Sequence, residues 1–301
     1  MRALRFYGPG DLRLEEVPDP EPRPGDVLVR VEVALTDGTD LKAFRRGHPV
    51  LLADLPSPFG HEFCGVDVAT GRRVVAANSD GDRADLRLLN GAYAELLVVP
   101  ERVARVNLLP VPDGLAPEVA ALVEPLACCL HGVDRAEIRG GETVAVLGAG
   151  PIGLMLCACL RDAGAAPVVV GGRPERRALV PEFGGRVGDG EGADVAIDAA
   201  GTARAWGQAL GLVRRGGTVV LFGGLPTGEQ VPFDAHRLHY DELTVRGAFH
   251  HTPQTVRAAL AFLASGAYPW RLLLTHQVRL EDVPALFADP PRDYLKAVVR
   301  P

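Results

Sequence analysis

A short apolar strand that runs directly into a glycine-rich turn is the feature that most constrains how this chain can fold. Residues 143–147 (TVAVL) have the pattern of a buried strand, and the segment GAGPIG follows at once over residues 148–153. The first glycine of such a segment permits a tight turn, and the third lets the next helix pack closely on the strand. The sequence therefore predicts a strand–turn–helix unit at this point.

The second half of the chain continues this alternation of strands and helices. Short apolar strands are predicted at 167–171, 194–201, 217–224 and 243–249, and helices at 152–163, 175–183, 203–214 and 253–265. Continuous apolar strands that alternate with helices predict an α/β fold with a doubly wound parallel sheet covered on both faces. The first hundred residues differ, because they are rich in glycine, proline and strand-like runs such as 26–33 and 94–99.

Length and charge limit the classes of partner. A chain of 301 residues predicts about two domains. A net charge of −6 argues against nucleic acid or an anionic membrane as the main partner. The uncharged run 143–160 is interrupted by three glycines, so we do not expect it to span a membrane. Five cysteines without a secretion-signal pattern at residues 1–16 predict reduced thiols and a cytoplasmic location.

The glycine segment follows a strand and opens a helix, which is the context that dinucleotide binding requires. The pyrophosphate of such a ligand lies on free N–H groups at the start of the helix. We therefore expect these residues to bind a dinucleotide: Gly148, Gly150, Pro151, Ile152 and Gly153.

The end of the next strand distinguishes NAD from NADP. An NAD site normally has an acidic residue there to hold the ribose 2′-hydroxyl. This chain has Gly172 and Arg173, with Arg177 shortly after, so a 2′-phosphate meets space and guanidinium groups instead of a carboxylate. The sequence predicts NADP(H). The alternative is that these arginines form an ordinary solvated helix start.

Three short motifs contain groups that bind metals: Asp37-Gly38-Thr39-Asp40, Gly60-His61-Glu62 and Glu124-Pro125. Each motif alone is more typical of a turn or a solvated helix end than of a site. The sequence alone assigns no catalytic or ligand role to Asp40.

Together, these motifs give the chain a resemblance to the medium-chain alcohol dehydrogenase superfamily, in its zinc-dependent polyol and sugar branch (sorbitol, threonine and glucose dehydrogenase-like). The resemblance extends along nearly the whole chain through DGTDL, GHE, GAYAELLVV, EPLACCLHGV, VAVLGAGPIG, DVAIDAAG, GTVVLFG and the terminal KAVV. It implies a GroES-like β-rich catalytic domain over 1–125 and 266–301, interrupted by a Rossmann domain over 126–265.

The resemblance also implies a catalytic zinc site. It assigns His61 and Glu124 as ligands, Glu62 as a nearby or exchangeable ligand, and Thr39 as a hydroxyl proton relay. The family's first ligand is a cysteine, which Asp37 replaces here. Zinc accepts carboxylate oxygen, so Asp37, His61 and Glu124 remain a chemically sound set, although one without sulfur.

Many relatives also carry a structural zinc on four closely spaced cysteines. This chain has no cysteine between Cys64 and Cys128, so we expect that zinc to be absent.

The resemblance, together with the predicted NADP(H) site, implies a metal-dependent oxidoreductase that transfers a hydride between NADP(H) and a secondary alcohol, polyol or sugar. It also implies a homodimer or homotetramer. Two alternatives remain open. One is a metal-free reductase of quinones or enones from the same superfamily, and the other is a non-catalytic NADP-binding protein. The sequence does not identify the alcohol.

Overall fold

The computed structural model describes residues 1–48, 51–52 and 54–301, and the chain forms two compact units. The first unit contains residues 1–125 and 252–301, and the second contains residues 126–251.

The elements up to residue 125 are mostly strands. The strands are β1 (Arg2–Gly8), β2 (Asp11–Glu16), β3 (Val27–Leu35), β4 (Ser57–Pro58), β5 (Glu62–Asp67), β6 (Arg73–Ala76), β7 (Leu96–Val99) and β8 (Leu108–Pro110). The helices are α1 (Gly38–Arg46), α2 (Glu101–Asn107), α3 (Pro117–Ala120) and the start of α4 (Val123–Ala136).

Strands and helices then alternate. The strands are β9 (Thr143–Leu147), β10 (Ala166–Val170), β11 (Arg186–Val187), β12 (Ala193–Asp198), β13 (Val213–Leu221) and β14 (Thr244–Gly247). The helices are α5 (Pro151–Asp162), α6 (Pro174–Arg177), α7 (Ala203–Leu212) and α8 (Ala235–Tyr240). The chain returns to the first unit through α9 (Pro253–Ala264), β15 (Leu274–Arg279), α10 (Val283–Ala288) and β16 (Lys296–Arg300).

The first unit is built around β3. This strand pairs antiparallel with β5, β7 and the C-terminal β16, in a sheet whose path runs β15-β16-β3-β5-β6-β8. Val29, Val31 and Val33 are buried while Arg30 between them is exposed, as alternation along a half-buried strand requires. The pairing of β16 with β3 brings residues from both ends of the chain into one β-rich unit.

The second unit is a six-stranded parallel sheet in the order β11-β10-β9-β12-β13-β14. Renumbered from β9, that order is 3-2-1-4-5-6, the order of the Rossmann fold. The interior residues of β9 are fully buried, because helices cover both faces of such a sheet. The predicted combination of a GroES-like β-rich domain and a Rossmann domain is confirmed.

Two helices differ from the sequence prediction. The helix expected over 175–183 ends at Arg177 and is followed by a 3₁₀ turn at Pro181–Phe183. Pro181 has no N–H to donate to a preceding carbonyl, so a continuous α-helix cannot pass through it. The helix α9, which the sequence analysis assigned to the Rossmann domain, instead packs on α2 and α3 of the first unit. The two compact units divide after residue 251, with α9 in the first unit.

In the part of the chain that the structure describes, none of the helices combines the length and apolar character needed to cross a membrane.

Candidate metal site and dinucleotide site

Asp37 lies at the start of α1 and caps it. Its Oδ2 accepts a hydrogen bond of 3.0 Å from the backbone N–H of Thr39, and the Thr39 hydroxyl also bonds to its carboxylate. The Asp40 side chain completes a capping box by accepting from the Asp37 N–H. An aspartate in this role is held in one orientation, because the helix start needs its oxygen as an acceptor.

His61 lies just before β5, and its two ring nitrogens face different partners. Nδ1 is 3.0 Å from Asp40 Oδ1, which directs Nε2 towards Asp37, whose Oδ2 is 3.8 Å away. Asp40 is fully buried and also accepts a hydrogen bond from the Tyr93 hydroxyl. A carboxylate behind the far nitrogen of a histidine fixes its tautomer and is typical of metal-ligating histidines.

Gly60 allows His61 to reach this position. Its φ of +87° lies in the left-handed region, and a Cβ built on it would lie 2.7 Å from the Tyr93 ring. Only glycine fits a site with both constraints. The backbone therefore turns sharply against Tyr93 and presents His61 and Glu62 to α1.

Three side chains converge within the first unit. Asp37, His61 and Glu62 each offer a ligand atom, and these atoms lie within 4.8 Å of one another. Two ligands at about 2.1 Å from a tetrahedral zinc are roughly 3.4 Å apart, close to the 3.8 Å between His61 Nε2 and Asp37 Oδ2. The oxygen and nitrogen donors and their spacing therefore fit a divalent ion.

Glu124 does not belong to this compact set of three, although the resemblance named it as a ligand. It is buried in the first turn of α4, and its charge raises the pKa of His61 more than the charge of Asp37 does. The Glu124 carboxylate therefore favours the protonated form of His61, as Asp37 also does.

Lys296, the first residue of β16, completes the surroundings of the cluster. Its side chain is 1% exposed, and Nζ lies 2.7 Å from each carboxylate oxygen of Glu62. It also donates to the carbonyl of Thr36 at 2.9 Å and lies 3.6 Å from Asp37 Oδ1. Burial lowers the pKa of Lys296, but the charges of Glu62 and Asp37 outweigh burial and hold the pKa above its ordinary value.

The charges in this cluster shift two further pKa values. Burial lowers the pKa of His61, but Asp40 and then Glu124 raise it to about 10 in the metal-free protein. Burial raises the pKa of Asp37, but the neighbouring Lys296 and His61 reverse this effect and hold the pKa below its usual range. Asp37 is therefore ionised at neutral pH, as a metal ligand must be.

The second unit contains the predicted dinucleotide segment at the carboxyl end of β9. A Cβ on Gly153 would lie 1.9 Å from the carbonyl oxygen of Gly148, so the helix and the turn touch there. A Cβ on Gly150 would meet no atom within 4 Å, which leaves open space at the start of α5. Among the residues that the structure describes, none caps this helix with its side chain, so its first N–H groups are available to a phosphate.

Gly172 follows β10 and lies against the same turn. Its φ is +88°, and a Cβ on it would lie 2.6 Å from the Cβ of Ala149. Arg173 and Arg177 follow it with exposed side chains. The structure thus places Gly172 beside the glycine segment and leaves no room for an acidic side chain at that residue.

Sequence reasoning missed Asp40, Tyr93 and Lys296. Asp40 was judged to carry no chemistry, yet it holds His61. The available signal was the four-residue motif itself, in which Asp37 and Asp40 have the spacing of a capping box. Lys296 lies 234 residues from Glu62 in sequence, so only the pairing of β16 with β3 brings the two together.

Comparison with known proteins gives one consistent family. Residues 23–113 match the family model described as the alcohol dehydrogenase GroES-like domain, and residues 151–265 match the one described as zinc-binding dehydrogenase. The chain is 30% identical to L-galactonate-5-dehydrogenase of Escherichia coli K12, covering 92% of this chain and 91% of that protein.

Two further relatives extend the likeness. Erythritol/L-threitol dehydrogenase of Mycolicibacterium smegmatis is 31% identical over 94% of this chain and 92% of its own length. A crystal structure from Sinorhizobium meliloti, of a candidate zinc-binding dehydrogenase bound to NADP, superposes with a TM-score of 0.90 at 31% identity, covering 100% of this chain and 99% of that one. This chain therefore belongs to the zinc-dependent medium-chain alcohol dehydrogenases, in their polyol dehydrogenase branch.

Proposed function

We propose that this protein is a metal-dependent dehydrogenase that transfers a hydride between NADP(H) and a secondary alcohol, polyol or sugar. The observation that carries the proposal is the convergence of Asp37 and His61 beside the buried Glu62, with the buried Asp40 on the far nitrogen of His61. A carboxylate–histidine arrangement of this kind has little purpose in a protein that only holds a nucleotide.

In our proposal Asp37, His61 and Glu124 hold a zinc ion. When bound, the ion supplies Lewis acidity to a substrate hydroxyl, and NADP⁺ supplies the hydride acceptor. Asp40 keeps the His61 proton on Nδ1, so that Nε2 presents its lone pair. The Thr39 hydroxyl donates to Asp37, which leaves its oxygen free to accept a hydrogen bond from the substrate hydroxyl, as the first member of the proposed proton relay.

NADP is supported over NAD by Gly172, Arg173 and Arg177. A 2′-phosphate needs space and cationic donors, and both are present where an NAD enzyme has a carboxylate. Relatives support the reaction class, since those named above are an L-galactonate dehydrogenase and an erythritol/L-threitol dehydrogenase. The absence of thiols between Cys64 and Cys128 supports a catalytic zinc without a structural one.

We further propose a homodimer or homotetramer in the cytoplasm. The strand β14 ends the six-stranded sheet, and Tyr240 and Phe249 near it are 58% and 57% exposed. An edge strand beside exposed aromatic side chains supports pairing with a second copy. The five cysteines are all free thiols, which supports a reducing compartment.

The experiment that tests the proposal is a panel of sugars, polyols and simple secondary alcohols, assayed with NAD⁺ and NADP⁺, with and without added zinc. We expect zinc-dependent reduction of NADP⁺ by at least one polyol or sugar. NADPH turnover on quinones by metal-free protein would instead indicate the reductase alternative. Binding of NADPH without turnover on any substrate class would indicate the non-catalytic alternative.

A further inference from the structure

Lys296 is one of only two lysines in the chain, and it is buried against candidate metal ligands. Burying an ammonium group is costly unless every donor finds a partner. Here Nζ has two oxygens of Glu62 at 2.7 Å and the Thr36 carbonyl at 2.9 Å. This set of partners fixes the ammonium and the Glu62 carboxylate relative to each other.

The charges nearby explain what this pair can do. Asp40 already bonds to His61 and Tyr93, and three further carboxylates act on this region, those of Asp37, Glu62 and Glu124. Lys296 pairs with Glu62, which leaves Asp37 and Glu124 as the acidic ligands in our proposal. Without the lysine, three carboxylates compete for one ion.

We propose that Lys296 is a positioning residue that holds Glu62 away from the metal and thereby keeps a coordination position open for substrate. The inference rests on the proposed function, because it assumes that Asp37 and His61 bind a divalent ion. A catalytic zinc needs that open position, whereas a closed set of four protein ligands gives a structural site.

The geometry makes the competition direct. Glu62 offers an oxygen within 4.8 Å of the ligand atoms of Asp37 and His61, so a small rotation brings it to the same ion. The two bonds to Lys296 occupy both of its oxygens. Removing the ammonium leaves a buried carboxylate without its main partner, and the ion is the nearest remaining positive charge.

The test uses Co²⁺ in place of zinc, because its visible absorption shifts when an added ligand such as imidazole takes an open coordination position. We expect imidazole to shift the spectrum of bound Co²⁺ in the wild type, and to cause no shift in Lys296→Met at about tenfold higher concentration, because Glu62 then fills that position. We also expect metal affinity that is no weaker than in the wild type, and kcat lowered roughly 10- to 100-fold. A purely structural lysine would weaken metal binding instead.

Two further variants make the test specific. Lys296→Met combined with Glu62→Gln should recover the imidazole-induced shift, since an amide competes poorly for the ion. Lys42 is the other lysine and lies on α1 outside the cluster, so Lys42→Met should keep the wild-type shift.

Glu62→Gln alone keeps the inference falsifiable even if Lys296→Met fails to fold. Because Glu62 is not a ligand in our proposal, this variant should keep the wild-type Co²⁺ spectrum and its shift with imidazole. A lost shift in Glu62→Gln, or a wild-type shift in folded Lys296→Met, would overturn the role of Lys296 while leaving the metal site intact. A wild-type protein that binds no Co²⁺ would overturn the proposed function and this inference with it.

Discussion

At the residue scale, the site depends on how His61 is held. Asp40 lies behind Nδ1, and Nε2 faces Asp37, so a single histidine joins the helix start of α1 to the beginning of β5. The same carboxylates that prepare a metal site also stabilise a proton on His61 when no metal is bound. Metal and proton therefore compete for this imidazole.

This competition gives a pH prediction. The pKa of His61 is raised to about 10 without metal, and a metal binds the neutral ring. We expect zinc affinity to fall by about tenfold for each unit that pH falls below this value. Calorimetry in buffers of different ionisation enthalpy should show a proton released on binding at neutral pH. A binding heat independent of the buffer would contradict this.

Zinc affinity should rise with pH, whereas the free energy of unfolding of the metal-free protein should fall with pH. A folded-state pKa raised from 6.5 to about 10 stabilises the fold fully below 6.5. That contribution is lost as pH rises from 6.5 through about 10. Denaturant titrations of metal-free protein across this range should therefore show a falling free energy of unfolding. Zinc-loaded protein, in which the ring is already neutral, provides the control and should not show this fall.

Asp40 gives a second residue-scale prediction. Asp40→Asn removes the negative charge behind His61 and should weaken zinc binding roughly 10- to 100-fold. Asp67→Asn is a matched control, because Asp67 also accepts a backbone and a hydroxyl hydrogen bond, from Ala69 and Thr70. We expect the control to leave zinc affinity unchanged. Equal losses in the two variants would show that Asp40 has no specific role.

At the element scale, the turn after β10 fixes the cofactor choice through the backbone as well as through charge. Gly172 has a left-handed φ, and its Cα lies against Ala149 of the glycine segment. The sequence indicated the missing acid and the arginines, but it could not show this close approach, because Ala149 is 23 residues away. A carboxylate at residue 172 would repel the 2′-phosphate of NADP, and its Cβ would also clash with Ala149.

Gly172→Asp should therefore destabilise the protein and should not create an NAD enzyme. We expect a loss of about 1–3 kcal/mol in the free energy of unfolding, from strain and overpacking together. Gly171→Asp is the matched control, since its φ is +76° but a Cβ there meets no atom within 4 Å. The control should lose less stability. Efficient NAD⁺ turnover by Gly172→Asp would contradict our account of this turn.

The cysteine-free loop between β6 and β7 is held in place by hydrogen bonds from Arg102. Arg102 of α2 makes bonds of 2.9 and 3.0 Å to the Asp80 carboxylate and one of 2.7 Å to the carbonyl of Asp85. Asp80 is largely buried, so these charged bonds are less screened than surface pairs. The Arg102 guanidinium thus ties this cysteine-free segment to α2.

Arg102→Ala should lower the free energy of unfolding by about 1–2 kcal/mol, because charged hydrogen bonds are lost from a partly buried carboxylate. Arg87→Ala is the matched control, since Arg87 pairs with Asp85 of the same loop at an exposed position. We expect almost no change there. Urea denaturation measures both variants, and equal effects would contradict the crosslinking role of Arg102.

At the scale of the whole molecule, the fold was largely predictable and the site only partly so. The Rossmann domain could be predicted because its central strands are buried on both faces and therefore have continuous apolar runs. Such a run is recognised in the sequence without knowledge of the strand's partners. The partners of His61 and Glu62 are not local. Lys296 reaches Glu62 only because β16 adds to β3, and no periodicity in KAVV indicates that pairing. The missed residues are accordingly those that depend on tertiary contacts.

The most direct test of the central claim is the zinc content of purified protein after zinc repletion and removal of loosely bound metal. We compare the wild type with His61→Ala and with His276→Ala, a histidine of β15 outside the cluster, as a control. The account predicts a single zinc per chain in the wild type and the control, and loss of that zinc in His61→Ala. Wild-type protein without zinc, or His61→Ala with an undiminished content, would contradict it.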